Sequence, residues 1–246
     1  MLRKRLYPLE VSKISKLASD IKTFGAQRVL ASSWASSLST ELRKRVEEET
    51  ITKRIDKGRY VCRKGEKATE WFCVVEGLIK VSIESSEGKE VSFIGVPSGG
   101  WFGEGALLKN ESRLYDAIAL RPSIVAFVPR STFFLLLETS VTFNRFLLLQ
   151  LNERLGQFVG MVKHGRLLAP EARLATELAA LFNPVLYPGH RESIPISQEE
   201  LSHLVGLSRQ RVNSALKKLA TAGLLRVHYR SITIVDLDRL RAFDQQ

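Results

Sequence analysis

Cysteine is scarce in these 246 residues, with Cys62 and Cys73 the two present. Two thiols fall short of the roughly four ligands an iron–sulfur cluster takes. Histidine is as sparse. His164, His190, His203 and His228 stand at no metal-ligand spacing, so no metal site is expected. No run approaches the roughly 18 apolar residues a membrane helix requires, and no membrane partner is expected. The opening Met1–Pro8 is basic, but no clean apolar stretch follows it, so the chain does not read as bearing an export signal. Reduced, buried thiols in a cytoplasmic protein are the expectation. Phosphate-cradling glycine loops, nucleophile motifs and paired acid-base clusters beyond the single Glu104 and Arg113 pair are also lacking, which argues against an enzyme and leaves no catalytic residue to name.

What the chain has in excess is positive charge: 37 Lys and Arg against 26 Asp and Glu, net +11, with a sequence pI near 9.8. Such a balance favours polyanionic partners. Residues 1–30 hold seven basic and two acidic groups, whereas residues 31–165 and 166–246 each carry +3. The excess is spread, so charge alone does not locate a binding face. Hydrophobic content of 44% and charged content of 26% are those of a globular protein, long enough for two modest cores.

Periodicity divides the chain. Residues 1–30 form a basic arm, helical or partly disordered. A helix signal follows Ser39, a plausible N-cap. Between Ile51 and Pro129, short β-prone runs such as Trp71–Val75, Leu78–Ile83 and Ile124–Val128 alternate with glycine turns, the pattern of a small antiparallel barrel or roll. Glycine then thins out. From Asn144 to Val162, apolar residues at Leu148, Leu151, Leu155, Phe158 and Val162 step by three and four, which makes a heptad seam. The seam fits either a dimer or a helix packed on its own domain. Another amphipathic helix covers 169–182, with Pro170 in its first turn.

The densest signal runs from Ile196 to Leu219. Ser197 with Glu200 three residues on makes a capping box. Leu201, Leu204 and Val205 share one face, and Gly206 stops the helix where a left-handed backbone is cheap. Leu207 fills the corner and Ser208 caps the next helix, which buries Val212, Ala215, Leu216 and Leu219. This is a helix-turn-helix. Its second helix presents Arg209, Gln210, Arg211, Asn213, Ser214, Lys217 and Lys218 outward. Arg can pair with guanine, Gln with adenine, and Lys with phosphate. Ser197, Gln198 and Ser208, at the helix starts, are further candidates for contact with DNA. Residues 224–235 alternate as a hairpin turning near Tyr229, Arg230 and Ser231, a wing from which Arg226 and Arg230 reach phosphates. The competing reading of all these cations is a solvated basic surface.

From about residue 34 to 240 the sequence resembles the CRP/FNR superfamily, in which a cyclic-nucleotide-binding β-roll, a dimerising helix and a winged helix follow one another. The opening Ser208-Arg209-Gln210-Arg211-Val212 is close to the family pattern, and Trp101-Phe-Gly-Glu-Gly-Ala-Leu-Leu108 with Arg113 resembles its phosphate-binding cassette. The resemblance implies an α+β fold: an N-terminal antiparallel β-roll of jelly-roll type, a long dimerisation helix, and a C-terminal winged helix-turn-helix. It divides the chain into an arm (1–30), an effector domain (31–140), a dimerisation helix (141–165) and a DNA-binding domain (166–246). It also implies a homodimeric, sequence-specific regulator that binds double-stranded DNA at a palindromic operator and works with RNA polymerase.

For the effector, the resemblance implies Phe102, Gly103, Glu104, Gly105, Arg113, Leu114 and Phe158, with Glu104 on a ribose hydroxyl and Arg113 on a cyclic phosphate, the ligand being cAMP, cGMP or another small molecule. Two departures keep ligand-free action open. Leu114, Tyr115 and Asp116 follow Arg113 where small residues are usual, and Phe158 and Val159 occupy the positions of base-recognising hydroxyls. Glu104 and Arg113 bridging each other across an empty pocket is the structural alternative. A regulatory module acting on a protein partner is the rival function, and it leaves residues 196–235 unexplained.

Overall fold

The computed structural model describes residues 20–84, 90–164, 169–188 and 192–243. Side chains are described outside residues 90 and 161–168. The Glu87-Gly88 turn, His190 and residues 1–19 of the basic arm therefore lie outside the described residues, as does the side chain of Val162. The described end of the arm is helical over residues 20–30 (α1) and buries Ala26 and Val29 against the roll. A 3-10 turn, Ser33–Ser37, leads to α2 (Thr40–Glu49), which begins where the Ser39 hydroxyl accepts from the Leu42 N–H at 3.2 Å.

Eight strands then build the roll: β1 (Ile51–Ile55), β2 (Tyr60–Cys62), β3 (Glu70–Glu76), β4 (Leu78–Glu84), β5 (Glu90–Pro97), β6 (Trp101–Phe102), β7 (Asp116–Ala119) and β8 (Ser123–Pro129). They pair antiparallel in two four-stranded sheets, β1-β8-β3-β6 and β2-β7-β4-β5, with α3 (Glu104–Lys109) between β6 and β7. Strand β3 shows why its sequence reads as one apolar run. Successive side chains point to opposite faces, and both faces are covered. Phe72 and Val74 enter the roll interior with Val96, Phe102 and Phe127, while Trp71, Cys73 and Val75 pack outward under helices. Both thiols are free and buried, and burial pushes each up to about 12.

The outer core gathers all three tryptophans. Trp71 stacks on Trp101 with centroids 3.7 Å apart, and Trp34 meets Trp101 edge-on at 5.7 Å. After α4 (Arg130–Thr139), the long helix α5 (Val141–His164) adds Phe143 to this cluster, edge-on to Trp71 at 5.4 Å. Offset and edge-on aromatic contacts add about 0.5–1.5 kcal/mol beyond burial, so the first half of α5 is fixed on the roll. Beyond that contact Leu148, Leu155, Phe158 and Val159 are exposed and Leu151 is half-buried. No single helix among the described residues is long and apolar enough to cross a membrane.

The last unit comprises α6 (Pro170–Leu181), β9 (Ser193–Ile194), α7 (Gln198–Val205), α8 (Arg209–Thr221), β10 (Leu225–His228), β11 (Ser231–Ile234) and α9 (Leu237–Arg241). Pro170 stands in the first turn of α6, where its missing N–H costs no helical bond. Strands β10, β11 and β9 form a three-stranded sheet, so the wing is broader than the hairpin expected from sequence. Its core joins α6, α7, α8 and the wing, and takes in Leu78 and Leu120 from the roll.

Candidate nucleic-acid interface and ligand roll

The reading helix is set by its own sequence. The capping box at Ser197 is formed on both sides: Glu200 N–H donates to the Ser197 hydroxyl at 3.2 Å and Ser197 N–H to the Glu200 carboxylate at 2.7 Å. Gly206 ends α7 at φ +66°, a left-handed value that glycine adopts without penalty. Ser208 then caps α8 by accepting from Arg211 N–H at 3.3 Å. Val212, Ala215, Leu216 and Leu219 are buried, which turns Arg209, Gln210, Arg211, Ser214, Lys217 and Lys218 outward and leaves Asn213 half-buried.

Two arginines and no acid occupy the first turn of α8. That arrangement opposes the helix dipole, which favours acids at an N-terminus by about 0.3–1 kcal/mol each. The two exposed arginines are thus left without a neutralising charge in their own turn. Lys218 is partly committed, pairing with Glu171 on α6, and that pairing holds the Glu171 carboxyl below its usual range. Arg230 occupies the wing turn at φ +59°, uncommon for a residue with a side chain. Tyr229 beside it is 93% exposed. Arg230 and Arg209 face Lys57 and Arg121 of the roll across a groove of about 730 Å³ that Ser197 and Gln198 also line.

The roll holds a second constellation. Gly103 starts α3 at φ +97°, where an added Cβ would meet the Arg113 guanidinium at 2.7 Å. The 2%-exposed Arg113 donates to the Gly103 carbonyl at 2.7 Å and to the Glu70 carbonyl, and lies over the Phe72 ring. Glu104 instead has Arg154 of α5 at 3.7 Å, and Arg154 also donates to the Trp101 carbonyl. Burial works against the Arg154 charge, while Tyr187 and Glu104 hold it on. One oxygen of Glu104 and one terminal nitrogen of Arg154 are buried without a hydrogen-bond partner.

Several sequence expectations change here. Glu104 and Arg113 do not bridge each other, because backbone carbonyls hold the arginine. Leu114 is turned out to solvent and does not fill the roll. Tyr115 packs against the roll core, where burial raises its phenol. Phe158 is exposed on α5, its ring 6.3 Å from that of Phe93. Phe102 is buried and Gly105 exposed. Sequence reasoning missed Arg154 and Tyr187, because a lone cation on a helix and a tyrosine between two helices carry no local signal of a buried site. Among the described residues no cluster of His, Cys, Asp or Glu could hold a metal.

Comparison with known proteins adds to this geometry. The family described as cyclic nucleotide-binding domain matches residues 52–140, and the Crp-like helix-turn-helix domain matches residues 172–243. The cAMP-activated global transcriptional regulator CRP of Haemophilus influenzae is 27% identical over 173 residues, 69% of this chain and 77% of that protein. The CRP-like cAMP-activated regulator of Mycobacterium tuberculosis is 25% identical over 191 residues, 75% and 84% of the two chains. Among solved structures, FixK2 from Bradyrhizobium japonicum shares the fold at TM-score 0.65 and 21% identity, covering 79% of this chain and 97% of its own. The c-di-GMP responsive regulator CLP of Xanthomonas campestris does so at TM-score 0.55 and 23% identity, covering 80% and 99%.

Proposed function

Because the chain belongs to the CRP/FNR superfamily and is a DNA-binding transcription regulator of that type rather than an enzyme, we propose that it acts as a cytoplasmic homodimer. The exposed Leu148, Leu155 and Phe158 and the half-buried Leu151 supply the seam. Two copies of α8 then enter successive major grooves of a palindromic operator, about 34 Å apart. Arg209, Gln210, Arg211 and Asn213 read bases, and Ser208, Ser214, Lys217 and Arg230 hold phosphates, with Ser197 and Gln198 at the start of α7 and Lys218 braced on Glu171 beside them. The observation that carries this reading is the exposed Arg209-Gln210-Arg211 edge, a basic first turn on a capped helix whose opposite face is fully buried.

The chain divides accordingly into the arm (1–30), effector roll (31–140), dimer helix (141–165) and DNA unit (166–246). RNA polymerase is the protein partner of the bound dimer. The roll answers to a small hydroxyl-bearing effector: the unpartnered Glu104 oxygen and Arg154 nitrogen fit a donor-acceptor group such as a ribose hydroxyl. A cyclic phosphate, whether of cAMP or cGMP, would have to draw Arg113 away from the Gly103 and Glu70 carbonyls.

Selection from a randomised duplex pool by the full-length protein tests the function. An enriched inverted repeat with half-sites one helical turn apart is expected. A pool that stays random contradicts it.

A further inference from the structure

The loop after α6 does more than join two helices. Asn183 draws it into a tight turn, its Oδ1 accepting from the N–H groups of Val185 (2.9 Å) and Leu186 (3.0 Å) and its carbonyl from Tyr187 N–H (2.9 Å). The Asn183 amide donates to Glu153 at 2.7 Å, and the Gln150 amide donates to the Val185 carbonyl at 2.8 Å, so the turn is tied to α5 twice. Leu186 and Tyr187 belong by sequence to the DNA unit, yet they pack into the roll core with Phe72, Val96 and Phe102. Tyr187 is 1% exposed. Its hydroxyl donates to the Gly95 carbonyl at 3.0 Å and feels the charges of Arg154 and Glu104. Gly100 makes the seat, since a Cβ there would lie 2.9 Å from the Tyr187 ring.

We propose that Tyr187 decides what the roll accepts: its ring and hydroxyl act as a built-in ligand beside Glu104 and Arg154, and a free effector takes that end only by expelling residues 183–188. This rests on the reading of the roll as an effector domain. An intramolecular occupant competes at a high effective concentration, on the order of millimolar for a short tether, so free ligands bind weakly unless the loop leaves. The expelled segment leads into α7 and holds α5 through Gln150 and Glu153. One displacement therefore loosens the DNA unit and the dimer helix together.

The test compares the full-length wild type with Tyr187→Ala and Tyr187→Phe, using p-cresol, the side chain of tyrosine itself, and cAMP as probes. In Tyr187→Ala, p-cresol is expected to raise the melting temperature, with no such rise in wild type or Tyr187→Phe. Calorimetry is expected to show cAMP binding at least tenfold tighter in Tyr187→Ala than in wild type. Equal cAMP affinity in the two proteins, absence of binding to both, or no p-cresol effect overturns the proposal. Should Tyr187→Ala not fold, Tyr187→Phe decides. Loss of the hydroxyl is expected to quicken hydrogen exchange over residues 95–102 about tenfold, and unchanged exchange overturns the proposal. Failure of the wild type to bind any duplex would sink the regulator reading while leaving these roll measurements standing.

Discussion

Glu200 of the DNA unit and Arg121 of the roll form an ion pair, Oε1 to Nε 2.7 Å, while the other oxygen of the same carboxylate accepts the Ser197 N–H at 2.7 Å. One side chain thus closes the capping box of α7 and anchors that helix to the roll. Lys57 pairs with Glu199 at 2.9 Å, Ser92 donates to the His203 carbonyl at 2.8 Å, and Arg121 donates to the Pro195 carbonyl at 2.6 Å. With Leu78 and Leu120 buried in the DNA unit's core, these contacts make the roll part of what orients α8.

Glu200→Ala removes the anchor and the carboxylate half of the capping box, while the Ser197 hydroxyl keeps its bond from the backbone N–H of residue 200, and is expected to lower stability by about 2–3 kcal/mol. Arg121→Ala removes the anchor alone. Hydrogen exchange separates them: α7 amides lose protection in the Glu200 variant and keep most of it in the Arg121 variant. Equal loss in both would mean that the capping role is minor.

Arg230→Gly trades function against stability. Relief of the left-handed backbone at φ +59° is expected to stabilise the wing by a few tenths to about 1 kcal/mol. Loss of one phosphate contact should weaken DNA binding across all sequences and shrink the salt slope by about 1. Anisotropy at several salt concentrations together with thermal melts checks both signs.

Leu148→Glu with Leu155→Glu should yield a folded monomer, because both side chains are exposed in the single chain and their loss leaves no cavity. Sedimentation reads the mass, and near-ultraviolet dichroism of the tryptophan cluster confirms the fold. A dimer that persists would place the interface elsewhere.

Glu177 supplies a pH signature. Burial pushes its carboxyl up to about 7 against an ordinary 4.5, with Arg173 opposing the shift. Between those values the folded chain keeps a proton that the unfolded chain has lost, so this group's contribution falls as pH rises from 4.5 to 7, by on the order of 1–3 kcal/mol. Glu177→Gln should therefore raise the melting temperature at pH 8 and change it little at pH 4.5. A benefit confined to low pH would reverse the sign.

Much of the fold could be read in sequence because its signals are local. The Ser197 box, Gly206 and the buried stripe of α8 each lie within a few residues, and the structure places all of them as expected. The roll's strands showed through glycine turns and β-prone runs. Long-range pairings did not show. Nothing near Arg154 marks it as the partner of Glu104, fifty residues away, and nothing near Tyr187 sends it into the roll rather than the unit that carries it. The cassette pattern named Glu104 and Arg113 but not their partners. Leu114 misled because the register of a short loop, not residue type, decides whether a side chain faces in or out.

The proposed function turns on the first turn of α8 reading DNA. Its most direct test is the affinity of the full-length protein for its selected duplex against log salt, beside Arg209→Ala with Arg211→Ala. The wild type should show a steep negative slope, and the double variant a loss of about 2–6 kcal/mol on the selected site with little change on random DNA. Equal affinity of the two proteins for the selected site would contradict it.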